Sequence, residues 1–68
     1  MSGLYSRSVE VIVHKPDSDD ILGAINAKHG LPVEIRMLCR GSYTTVVRMT
    51  VEEAFDVARV INAALRKE

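Results

Sequence analysis

Few side chains in this sequence have types suited to chemistry. Cys39 is the single thiol, and His14 and His29 are the two imidazoles. A nucleophilic cysteine needs a neighbouring base or cation to hold it as thiolate. Arg40 is adjacent in sequence, and a histidine can approach in space. Yet Cys39 also ends an alternating apolar series, where a small packed cysteine is ordinary. The packing reading outweighs the reactive one, and an enzyme using Cys39 with a histidine is the least favoured function.

Neither histidine has a second His, Cys or carboxylate at ligand spacing, so no metal site is expected. His29 falls in the last turn of a predicted helix, where the dipole favours a cation. His14 reads as a solvated residue at a strand end. Asp17, Asp19, Asp20, Glu52 and Glu53 cluster at two helix starts, where capping accounts for them. Residues 16–28 lack the alternating oxygen ligands and closing glutamate of a calcium loop. Gly3, Gly23, Gly30 and Gly41 are isolated and form no phosphate loop. A tautomerase of similar length uses an N-terminal proline as base, and Ser2 stands here instead. No catalytic residue and no cofactor are expected.

The elements that position these groups are well punctuated. Val9, Val11 and Val13 alternate with Glu10, Ile12 and His14, which predicts one half-buried strand over residues 4–14. Lys15-Pro16 stops it. Asp17 or Ser18 then caps a helix of about twelve residues with Ile21, Leu22 and Ile25 as its apolar stripe. Gly30 takes the left-handed position that ends the helix. Gly23 inside it costs about 1 kcal/mol relative to Ala.

From Val33 the period returns to two, and residues 33–39 and 43–49 read as a hairpin. A two-residue Gly41-Ser42 turn sets Arg48 opposite Ile35. A three-residue turn over Cys39, Arg40 and Gly41 instead sets Val33, Ile35 and Met37 beside Tyr43, Thr45 and Val47. The second is preferred for its clean apolar face. Thr50 to Glu53 is a capping box that opens a helix reaching about Arg66. Its apolar residues span nearly half the circumference, more than a three-stranded sheet covers.

The expected fold is therefore α+β over a single domain, residues 1–68: a two-layer β-α-β-β-α sandwich, with a three-stranded mixed sheet and two helices on one face. The order resembles a ferredoxin-like fold lacking its last strand, a likeness of topology that implies no function.

Composition narrows the function classes. The 68 residues carry nine Lys and Arg against nine Asp and Glu, with 47% apolar content. A zero net charge disfavours a basic nucleic-acid module, and the apolar content disfavours disorder. One cysteine leaves no disulfide framework. No apolar run approaches the ~18 residues of a membrane span. Met1 to Arg7 lack the basic start and apolar core of an export signal, so the cytoplasm is the expected address. Burial in so small a chain yields on the order of 100 kcal/mol, about what ordering the chain costs. A partner that adds burial is expected, and a homodimer is the simplest.

The sheet face away from the helices carries the expected partner-binding residues: Ile12, His14, Arg36, Leu38, Arg40, Tyr43, Val46 and Arg48. Apolar residues contiguous on one face mark interfaces, and the arginines supply a polar rim. The expected function is a small non-enzymatic interaction protein that regulates or inhibits another macromolecule. Stand-alone domains of this size are often accessory proteins of phages or other mobile elements. The alternative is nucleic-acid binding by Arg36, Arg40 and Arg48 with Tyr43 stacking on a base; Glu10 and Glu34 dilute that field.

Overall fold

The computed structural model describes the backbone of residues 2–5 and the whole of residues 8–67. Met1, Ser6, Arg7 and Glu68 lie outside the described residues, and the first three belong to the segment on which the export-signal expectation rests. Six elements follow in order: β1 (Ser2–Tyr5), β2 (Val9–Val13), α1 (Ile21–Lys28), β3 (Val33–Cys39), β4 (Ser42–Met49) and α2 (Val51–Arg66). The α+β layout and the β-α-β-β-α order from β2 to α2 are those the residue pattern implies.

The sheet itself differs from the expectation. It has four strands in the order β1-β2-β3-β4, and every neighbouring pair is antiparallel rather than mixed. The expected single strand over 4–14 is two strands, β1 folding back antiparallel on β2 with Tyr5 opposite Glu10. β2 and β3 pair directly, Val13 opposite Val33, and the His14 amide donates to the Pro32 carbonyl at 2.9 Å. Residues 15–31 are thus an excursion from one end of the ladder, and they fold α1 back over the sheet.

α1 is shorter than expected. A turn in which the Ser18 amide donates to the Lys15 carbonyl consumes Asp17 and Ser18, so Asp20 is the cap, its side chain accepting from the Gly23 amide at 3.0 Å. The far end is as the sequence implies. Gly30 has φ 82°, its amide donates to Ala27, and the Leu31 amide donates to Asn26, the paired bonds of a Schellman stop. The expected Ile21, Leu22 and Ile25 stripe is exposed; α1 buries Gly23 and Ala24 instead.

Glycine is what lets α1 approach. A β-carbon at Gly23 falls 2.2 Å from Nδ1 of His14, a ring held in place by the sheet. α1 therefore lies on the face bearing Ile12, His14 and Glu34. α2 lies over the opposite face, where Ala54, Val57 and Ala58 line apolar slots with Val9, Val11 and Val33. The helices flank the sheet rather than share one face.

The hairpin register also differs. Cys39 pairs with Ser42 across a two-residue Arg40-Gly41 turn, both residues left-handed at φ 52° and 86°. This matches the twist of a type I′ hairpin, at a cost for Arg40 of about 1 kcal/mol. A bulge at Val46 then shifts the pairing, so Val47 stands opposite Ile35 and Arg48 opposite Glu34. Tyr43 and Thr45 therefore share a face with Leu38 and Arg36, not with Met37 as the three-residue turn implied.

Gly23→Ala tests the close approach of α1. In an exposed helix interior this change stabilises by up to about 1 kcal/mol. Here it is expected to destabilise by roughly 1–3 kcal/mol in urea unfolding, because the methyl group strikes a locked ring. A stabilised variant would refute the packing.

Candidate functional site

The densest chemistry in the structure is a buried polar cluster centred on Glu34, which is 1% exposed. Register assembles it. Glu34 on β3 lies beside Ile12 of β2 and Arg48 of β4, and Arg36 lies beside Glu10 and Thr45. His14, 3% exposed rather than solvated, donates from Nε2 to Glu34 Oε1 at 2.7 Å. Arg36 grips the same carboxylate twice, Nε to Oε2 at 2.9 Å and Nη2 to Oε1 at 3.3 Å. The Thr45 hydroxyl donates to Oε2, and Arg48 Nη2 stands 3.5 Å from it. Arg36 also reaches Glu10 at 3.1 Å and the α1 cap Asp20 at 3.5 Å.

Burial alone raises the pKa of Glu34. The hydrogen bonds from Arg36, Thr45 and His14 more than offset it and lower the carboxyl from 4.5 to about 2. An ionised carboxylate is acceptor-only, so Nε2 of His14 carries the proton. Its Nδ1 faces Gly23 with no hydrogen-bond partner, and Arg48 Nε is likewise buried and unpartnered.

His14, Asp20 and Glu34 offer ligand atoms within 4.8 Å of one another, a grouping that could hold a metal ion. The donor chemistry argues against it. Both Glu34 oxygens already accept from guanidinium, hydroxyl or imidazole groups, and the Arg36 guanidinium lies between the Glu34 and Asp20 carboxylates, 3.3 and 3.5 Å from their oxygens. Arg36 and Arg48 offset the Glu34 charge, and a structural role accounts for the cluster. Cys39 is exposed at the far end of β3, about 20 Å from His14 at strand spacing. His29 is exposed beyond α1. The three do not meet, and no nucleophile–base pair forms among the described residues.

The expected partner-binding residues separate into two groups. Ile12 and His14 are buried beneath α1, and Arg36 and Arg48 are half-buried and committed to Glu34. That end of the face is closed, contrary to the expectation of an open surface. Leu38, Arg40, Tyr43 and Val46 remain exposed toward the hairpin tip, with Val46 at 58%. The strand pattern alone places Glu34 on the open face as a diluting charge. Its burial follows only once α1 is known to cover this face.

A second feature lies on the opposite side. Val9, Val11, Val33, Ile35 and Met37 face α2 across open apolar slots of about 420 and 520 Å³. α2 buries none of its residues, and Phe55 and Leu65 are 72% and 66% exposed.

Comparison with protein-family models, with curated proteins and with solved structures finds no match for this chain. Among the described residues, no helix is long and apolar enough to cross a membrane.

The lowered pKa fixes the sign of a pH effect. Because the folded value lies below the unfolded one, Glu34 stabilises fully above about pH 4.5, and this is lost as pH falls through about 2. The shift corresponds to roughly 3 kcal/mol. Glu34→Gln is expected to lower unfolding free energy by about that amount at pH 7, with the gap to the parent chain closing toward pH 2. Parallel pH profiles for the two chains would contradict this account.

Proposed function

We propose that this chain is a small non-enzymatic interaction protein that assembles as a homodimer and acts by binding, and so regulating or inhibiting, another protein. The observation that carries the reading is uncovered apolar surface. The accessible area is 5432 Å², whereas a compact monomer of this mass exposes about 4,200 Å². The excess, about 1,200 Å² per chain, exceeds the ~800 Å² that one partner contributes to a standard interface. The radius of gyration, 12.9 Å, also exceeds the ~11 Å of a compact chain of this length.

The surface for the other protein is the face that α1 and the hairpin share. Ile21, Leu22 and Ile25 project from α1, whose cap contacts Arg36, and Leu38 follows Arg36 on the same face of β3. Tyr43 stands opposite Leu38. Arg40 holds a left-handed backbone where Asn or Gly is relaxed, a local strain of the kind retained where a side chain works. Arg40 at the tip supplies a charged rim.

Nucleic-acid binding is the weaker reading. Two of its three arginines are spent on Glu34, leaving Arg40 and one aromatic ring beside it. Binding to single-stranded DNA or RNA is expected to be absent at physiological salt; tight binding that weakens steeply with salt would favour that reading instead.

The test of the protein-binding reading uses the full chain as bait in an extract of its source organism. A partner retained by the parent chain is expected to be lost from a Leu38→Asp/Val46→Asp variant whose circular dichroism is unchanged. Identical retention by both chains, or none by the parent, would sink the proposal.

A further inference from the structure

The slots beside α2 and the pattern along the helix specify how a second copy covers it. Val51, Phe55, Ala58, Asn62 and Leu65 follow one another at alternating spacings of four and three, the seam of a two-helix coiled coil. One flank of this seam, with Ala54, Val57 and Ile61, faces the valine side of the sheet. The other flank carries Glu52, Arg59 and Arg66 at heptad spacing, charges that reverse in sign from the start of the helix to its end. The largest residues of this seam, Phe55 and Leu65, are left mostly exposed by the described residues.

Resting on the homodimer reading, we infer that α2 packs antiparallel against α2 of a second copy about a two-fold axis near Ala58. The charge pattern selects the direction. Parallel pairing sets this charged flank against the apolar Ala54 and Ile61 flank of the second copy, whereas antiparallel pairing sets each Glu52 beside the second copy's Arg66 and opposes the helix dipoles. Arg59, near the axis, meets its own counterpart, and its ion pair with Asp56 offsets that repulsion. Ala58 at the middle of the seam allows close approach of the helix axes. Asn62 is the polar seam residue that commonly fixes register and orientation. The second helix then also lies over the valine face and fills the slot that Phe55 borders.

Light scattering or sedimentation on the full chain tests this. The parent is expected to be a dimer at micromolar concentration. Phe55→Asp alters a side chain that is exposed within one chain, so it should leave helix content intact while weakening the dimer roughly tenfold or more. Glu52→Arg should weaken it roughly threefold, and adding Arg66→Glu should restore it. A dimer indifferent to Phe55→Asp overturns the seam yet leaves the homodimer reading standing. A dimer broken by Phe55→Asp but not rescued by the charge swap overturns the antiparallel direction. A parent chain monomeric at high micromolar concentration overturns seam and homodimer together.

Discussion

The Glu34 carboxylate is a charge sealed inside a chain that has little interior to spare. Removing an ion from water costs several kcal/mol unless partners replace the lost hydration, and every element around Glu34 supplies one. β2 leads into His14, β3 supplies Arg36, β4 supplies Thr45 and Arg48, and α1 supplies Asp20 to the far side of Arg36. A one-residue slip of β4 would turn Arg48 to the other face and leave the carboxylate short of a cation. The bulge at Val46 is the device that reconciles the tight Arg40-Gly41 turn with this requirement. The cluster therefore specifies register as much as it contributes energy.

Closing one face this way leaves the other open. α1 brings small residues, Gly23 and Ala24, against the sheet, because only a short-side-chained helix can approach the His14 ring. α2 is longer and strongly amphipathic, but it meets the valine face across slots wide enough to admit further side chains. The molecule thus has a polar, internally paired side and an apolar, unfinished one. The uncovered area is of the size one subunit contributes to a stable association. In the proposed homodimer, a partner rather than a larger core meets the marginal energy balance of so short a chain.

Local signals in the residues proved dependable where the physics is local. The capping box joins Thr50 and Glu53 reciprocally at 3.0 Å, and Gly30 stops α1 in the left-handed conformation. The strand positions 33–39, the return strand and the span of α2 are all legible from period and punctuation. The hairpin register was not. Its turn residues permit several pairings that differ by one or two residues, and the bulge that selects among them answers to Glu34, a residue distant from the turn. Half of the candidate surface, Ile12, His14, Arg36 and Arg48, was misplaced for the same reason: a strand residue's face is readable, but what covers that face is not.

By itself, then, the sequence determined an α+β chain with the limits of its hairpin strands and last helix, a zero net charge and a wide apolar arc along that helix. Only the tertiary structure decided that the helices lie on opposite faces, that Glu34 and His14 are interior, and that α2 stands uncovered. Capping, periodicity and backbone preference act within a few residues and are written in order along the chain. Burial depends on which element folds over which face, and contacts between residues 14, 23 and 34 set that here.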